Sequence, residues 1–269
     1  GFAIIKQKDT EKVISKRHEH ISSVLSVSYK KPIHMERAAF QYMYDTEGNT
    51  YLDAYNNIML VGHCHPYVVR TGQRAMAKLN TNTRYVYEEL LDYSEKLLSK
   101  FPEKLNKVFL VNSGSEASDL AIRIANAHTK KNKVMVLEHG YHGNTKLGIN
   151  ISHYKYSHEA GSGREKNIIQ TPMPNAFGSG FSTANLAGDY FADVAISQIK
   201  ANEGEIATFI AEPIVGCGGQ VPLAKGYLQK VYPQVRKQGG ICISDEVQVG
   251  FGRLGEYYWG FEMHDVEPD

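Results

Sequence analysis

The sequence predicts an α/β protein with a mostly parallel central sheet and flanking helices, preceded by a small N-terminal α+β segment. Three observations carry this. From about Leu60 onward, short and almost wholly apolar runs alternate with helical patterns, the signature of parallel strands covered on both faces. Polar residues gather immediately after each apolar run. The first sixty residues follow a different pattern, with a charged stretch and then hairpin chemistry. The expected division is therefore 1–60 for the N-terminal segment and 61–269 for the sheet-containing part.

The elements follow in order. "KDTEKVISKRHEH", residues 8–20, is mixed in sign and reads as a solvated helical face. In "FQYMYDTEGNTYLDAYNN", aromatic and β-branched runs flank a turn sequence, which is hairpin chemistry. "KVFLVN" (Lys107–Asn112) reads as a strand. The stretch after it, "SGSEASDLAIRIANAHTK", reads as a helix with Leu120, Ile124 and Ala127 at helical spacing. "KVMVLE" (Lys133–Glu138), "IATFIAEP" (Ile206–Pro213) and "GICISDE" read as further strands. "DYFADVAISQIKAN" and "GYLQKVYPQVRKQ" read as the helices between them. Met173–Leu186, rich in Gly, Ser, Pro and Asn, reads as a loop.

Composition narrows the function classes. A net charge of +1, with 22% charged residues, makes no case for a nucleic-acid or acidic-membrane partner. No apolar run approaches the roughly 20 residues of a membrane span, and no signal peptide opens the chain. Cys64, Cys217 and Cys242 are odd in number and far apart, so reduced, buried thiols in a cytoplasmic protein are expected.

Open parallel sheets bind ligands outside the carboxyl ends of their strands. Four polar clusters fall there: Ser113-Gly114-Ser115, Tyr141-His142-Gly143, Glu212, and Asp245 with Gln248. Gly114 and Ser115 open a helix, where free N–H groups attract an anion, although Ser-x-x-Glu is also a plain helix cap. Tyr141 can lie flat on a heteroaromatic ring with His142 at its edge, or be a half-buried loop tyrosine. Asp245 can hold a ring nitrogen protonated, or form a structural ion pair with an arginine. Rival motifs fare worse. "GFGRLG" matches a dinucleotide fingerprint only as a string, because no helix pattern follows it. "GHCHP" (His63-Cys64-His65) lacks further ligands at a zinc spacing, so no metal is expected. The acidic "EMHDVEPD" reads as a solvated loop.

Together, "YLDAYNNIMLVGHCHP", "VNSGSEASDLAIRIA", "YHGNT", "AEPIVGCGG" and "ISDEVQVGFGRLG" resemble the class-III aminotransferases, pyridoxal-phosphate (PLP) enzymes of transferase fold type I. The resemblance covers nearly the whole chain and leans toward the phospho-lyase branch, whose members act on ethanolamine phosphate or phosphohydroxylysine. It implies PLP as cofactor, a small-molecule amine as substrate and a homodimer. It also implies residue roles: Asp245 against the pyridine nitrogen, Gln248 at the ring hydroxyl, and Gly114 with Ser115 in the phosphate cup. Tyr141 would stack on the ring with His142 beside it, and Glu212 would lie near the cofactor. Transamination and phosphate elimination are both compatible with these residues, and Arg84 is a candidate for a substrate phosphate. The family's cofactor-linking lysine is expected beyond Asp269, since residues 238–269 contain no lysine. The expectation is thus a chain whose C-terminal part is missing, inactive alone, in a longer enzyme. A catalytically incomplete module of a larger protein is the other reading.

Overall fold

A computed structural model describes residues 9–56 and 60–269. Asn57–Met59, inside the "YLDAYNNIMLVGHCHP" stretch, and residues 1–8 lie outside the described part. The chain divides into two compact units, Gly1–Val86 and Tyr87–Asp269.

In the first unit, helix α1 (Thr10–His20) is capped by Asp9, whose carboxylate accepts from Lys12 N, and it buries no residue. Strands β1 (Met35–Ala39), β2 (Tyr42–Asp45) and β3 (Thr50–Leu52) form an antiparallel sheet in that order. The turn between β2 and β3 is held by Asp45, which accepts from Glu47 N at 2.9 Å and Asn49 N at 2.8 Å. Gly48, at φ +88°, supplies the left-handed step. The Asn49 side chain, with further backbone and Tyr51 donors, holds the Asp45 carboxyl down to about 2 against partial desolvation. Helix α2 (Pro66–Lys78) starts with proline in its first turn, where the missing N–H costs nothing.

The second unit contains α3 (Glu88–Leu98), α4 (Gly114–Thr129), β4 (Lys133–Leu137), α5 (Lys146–Asn150), α6 (His153–Tyr156), β5 (Ile168–Thr171) and α7 (Ala184–Ala201). There follow β6 (Ile206–Ala211), a ribbon of β7 (Ile214–Val215) and β8 (Val221–Pro222), α8 (Tyr227–Lys237) and β9 (Ile241–Ser244). A 3-10 turn spans Gly260–His264. The main sheet has the order β5-β4-β6-β9, with every pairing parallel. Its strands are apolar on both sides because helices cover both. Met135, Leu137, Phe209 and Ala211 face α7 and α8, packing with Ala195, Ile199, Val231 and Val235. The alternate residues Val134, Val136 and Ile210 pack with Ile122 of α4 and with Ile151 and Tyr156. All six residues of β6 are buried.

Several expectations are corrected. Lys107–Asn112 is not a strand, and Phe109, Leu110 and Val111 are exposed. A parallel strand exists only with a hydrogen-bonded neighbour, and no described strand pairs with this run. Helix α4 buries Ser118, Ile122 and Ala125, so the Leu120-Ile124-Ala127 stripe points elsewhere and Ile124 is 45% exposed. Helix α7 begins at Ala184, within the stretch read as loop, because Thr183 caps it by accepting from Leu186 N. Strand β5 was not anticipated. Its four residues follow a polar segment and are too few to show a pattern. Only Cys242 of the three free thiols is buried. Asp269 is anchored rather than solvated. Its N–H donates to Cys242 O, its carboxylate accepts from Cys242 N, and Arg236 Nε lies within 3.1 Å of both carboxylate oxygens.

Among the described residues, no helix is long and apolar enough to cross a membrane, and no group of three or more His, Cys, Asp or Glu could hold a metal. Truncating the fully buried Phe209 to alanine is expected to cost about 3–5 kcal/mol by urea unfolding. Ile124→Ala, on the exposed face of α4, is expected to change stability by less than about 1 kcal/mol.

Candidate functional site

The site is assembled at the carboxyl ends of β4, β6 and β9 and at the N-terminus of α4. Asp245 directly follows β9, and its N–H extends the ladder by donating to Ala211 O at 2.9 Å. Its side chain is 7% exposed, and Oδ2 lies 2.8 Å from His142 Nδ1. An ionised Asp245 only accepts, so Nδ1 carries the hydrogen and donates. Asp245 Oδ1 accepts from Val247 N at 3.1 Å. His142 is buried and held by its own backbone: its N–H donates to Ser152 Oγ at 2.8 Å, and that hydroxyl donates to Gly148 O. The far ring atom, His142 Nε2, is buried without a hydrogen-bond partner among the described residues. Among the described residues, Asp245 is held by an imidazole and a backbone N–H.

Glu212 follows β6 and is 6% exposed. One oxygen accepts from Tyr141 N at 3.0 Å and the other from Gly216 N at 3.1 Å. Burial raises its carboxyl above the ordinary range, opposed by the neighbouring His142 and these two N–H donors. The carboxylate thus fastens the loop after β4 to the loop after β7. Gly216 makes room for Gln248, since a Cβ there would sit 1.8 Å from Gln248 Oε1 and displace that amide. The Tyr141 ring meets Tyr154 edge-on at 6.1 Å, and burial raises its hydroxyl, helped by the nearby Cys217 and Asp245.

At α4, the capping pattern is realised. Ser113 Oγ accepts from Glu116 N at 3.1 Å, and Glu116 Oε2 accepts from Asn112 N at 2.6 Å. Capping and anion binding are compatible, because the N–H groups of Gly114 and Ser115 have no protein acceptor among the described residues. Two glycines let the other loops close in on this helix end. A Cβ on Gly114 would lie 2.7 Å from Val247, and one on Gly143, at φ +121°, would lie 2.7 Å from Ser115. Ser115 Oγ also accepts from Asn144 N at 3.0 Å.

All seven residues singled out from the sequence (Gly114, Ser115, Tyr141, His142, Glu212, Asp245 and Gln248) therefore belong to one connected cluster within the second unit. Glu246, adjacent to Asp245, does separate work: it accepts from Ser244 Oγ, Gly260 N and Phe261 N, closing the 3-10 turn. Arg84, in the first unit, is exposed and donates to Asn82 Oδ1. His63 there pairs with Asp53 at 2.6 Å. Sequence reasoning missed Gly216 and Ser152 as parts of the cluster. Only Gly216 left a signal, in the glycine-rich "GCGG".

Residues 24–269 match the family model for aminotransferase class-III. The chain is 41% identical to a Drosophila melanogaster alanine–glyoxylate aminotransferase 2-like protein, across 98% of this chain and 55% of that protein. It is 35% identical to the Caenorhabditis elegans ethanolamine-phosphate phospho-lyase homolog 1, across 96% and 58% respectively. Among solved structures it is similar to an Arthrobacter phospholyase in complex with phosphoethanolamine, at TM-score 0.86 and 34% identity, covering 95% of this chain and 61% of that one. The chain therefore spans a little over half the length of the curated relatives. With the family model matched over most of its residues and the strand-end cluster in place, the chain belongs to the class-III aminotransferases, a family that works with pyridoxal phosphate.

Proposed function

We propose that the full-length polypeptide is a PLP-dependent enzyme acting on a primary amine, with aminotransferase chemistry. One observation carries the reading: Asp245, buried at the end of β9 and oriented by His142 and Val247 N, faces the same cluster as the open N-terminus of α4. These residues fit the cofactor. Gly114 and Ser115 offer N–H donors and a helix dipole to a phosphate. Tyr141 offers a ring for stacking, and Asp245 offers a carboxylate to hold a proton at the pyridine nitrogen. Gln248, beside Gly216, offers a side-chain amide to the ring hydroxyl. Bound there, PLP supplies an electron sink for charge developing at the amine-bearing carbon. Glu212 fixes the height of Tyr141 through its backbone N–H, and His142 keeps the Asp245 carboxylate from rotating.

Phosphate elimination from a phosphorylated amine is the second reading, favoured by the phospholyase likeness at 34% identity. The products separate the two. Elimination releases inorganic phosphate and ammonia, whereas transamination passes the amino group to a keto acid with neither released. The resemblance further supports a homodimer, an N-terminal small-domain segment at 1–60 and a cofactor domain from 61. The three free cysteines suit a reducing compartment such as the cytoplasm.

Three outcomes are expected. In the full-length protein, Asp245→Asn lowers kcat roughly 100-fold or more while the fold is retained by circular dichroism. Unchanged kcat would remove the proposed role. Glu212→Ala leaves the N–H groups of Tyr141 and Gly216 unsatisfied, which costs about 1–3 kcal/mol for each buried donor and weakens PLP binding measured by its absorbance. Finally, the 269-residue chain alone gives no turnover of ethanolamine phosphate or an ω-amine, since no lysine follows Lys237; robust turnover would contradict this.

A further inference from the structure

The segment between β4 and α5 carries Tyr141 and His142, and its backbone is gripped at each position from His139 to His142. Gly140 N donates to Leu137 O, Tyr141 N to Glu212 and His142 N to Ser152 Oγ. Tyr154 N donates to Gly140 O at 3.1 Å, and His139 N donates to His153 Nδ1 at 3.0 Å. Three consecutive residues, Ser152, His153 and Tyr154, thus hold the segment from one side. His139 needs that grip, because it sits at φ +63°, a left-handed conformation that a non-glycine residue keeps only when its surroundings hold it there.

The bond from His139 N differs from the others in its chemistry. A backbone N–H only donates, so His153 Nδ1 presents its lone pair, and the hydrogen of the neutral ring lies on Nε2. A second proton has to enter at Nδ1, and there it abolishes the bond. Another partner is at hand: Ser157 Oγ lies 3.3 Å from Nδ1, and its own hydrogen is given to His153 O, so the hydroxyl can accept from a protonated ring.

Among the described residues, the titratable groups acting on His153 are His139, whose ring meets it edge-on at 5.2 Å, Tyr156, edge-on at 5.4 Å, and Glu138. Burial pushes the His153 imidazole down, His139 pushes it further, and Glu138 opposes them. Above the ordinary histidine value of about 6.5 the ring is neutral and the bond is made. As pH falls from there toward the lowered value, the docked segment is progressively disfavoured.

We propose that His153 is a positioning residue and a proton-sensitive latch for the segment carrying Tyr141 and His142: neutral, it docks the segment through His139 N–H, and protonated on Nδ1 it turns its bond to Ser157 and releases it. The consequence for cofactor binding rests on the PLP reading above; the latch itself does not.

The test compares the full-length holoenzyme with two variants. His153→Asn places an amide oxygen near the position of Nδ1 and accepts at every pH, whereas His153→Phe keeps a ring against Tyr156 and accepts nothing. Deuterium uptake by residues 138–143, corrected for intrinsic exchange, and PLP affinity by absorbance are measured at about pH 7.5 and about pH 5.5, on either side of the ordinary histidine value. On acidification, uptake and the PLP dissociation constant of the parent are expected to rise roughly threefold or more beyond the change in His153→Asn. That comparison cancels the titration of Glu212, the other ionisable anchor. His153→Phe is expected to show raised uptake and weakened PLP binding at both pH values. Equal responses to acid in the parent and His153→Asn, or a fully protected segment in His153→Phe, would overturn the proposal. Should His153→Phe not fold by circular dichroism, the comparison of the parent with His153→Asn decides alone. A parent that binds no PLP ends the cofactor reading, and deuterium uptake then decides the latch by itself.

Discussion

The 2.8 Å contact between Asp245 and His142 joins residues 103 positions apart in sequence, and the geometry of the site depends on it. A carboxylate at the end of an apolar strand is costly unless its oxygens are met. Here one oxygen meets an imidazole and the other a backbone N–H two residues on. The imidazole is itself fixed through Ser152 and Gly148. The chain of hydrogen bonds runs from the end of β9 to the helix that follows the Tyr141 loop, so the orientation of Asp245 is set by the packing of the sheet beneath it. Parallel strand order makes this possible. Adjacent strands β4, β6 and β9 all end at one edge, and residues distant in sequence are delivered within bonding distance.

Much of this was legible in the sequence, and the reasons are local. β4, β6 and β9 announce themselves because strands buried on both faces must be apolar throughout, and α7 and α8 because they bury one stripe each. The polar residues stood out against those runs, which is why all seven positions fall in one cluster. What escaped was information held in partners. Lys107–Asn112 has a strand's composition, but composition cannot supply the neighbour that a strand requires. The buried face of α4 runs through Ser118, a residue that no hydrophobic pattern selects. The partner of His142 escaped as well: its Nδ1 lies 2.8 Å from Asp245 Oδ2, while its backbone N–H is held by the Ser152 hydroxyl.

The adjacent acids Asp245 and Glu246 show how one residue of spacing separates two roles. Successive side chains leave an extended backbone on opposite sides. Asp245 turns toward the ligand edge, and Glu246 turns the other way to collect the N–H groups of Gly260 and Phe261. Burial raises the carboxyl of Glu246, and the donors around it oppose that rise. The strand end is therefore anchored on one side by a structural acid, which leaves the other free for chemistry.

Glu212 has a consequence for motion. Its two oxygens serve two different loops, so when one loop lifts away, the other still pins the carboxylate in position. The departing segment leaves behind a stationary berth with the correct lone pair already aimed at it. Re-docking then requires only that segment to reorder.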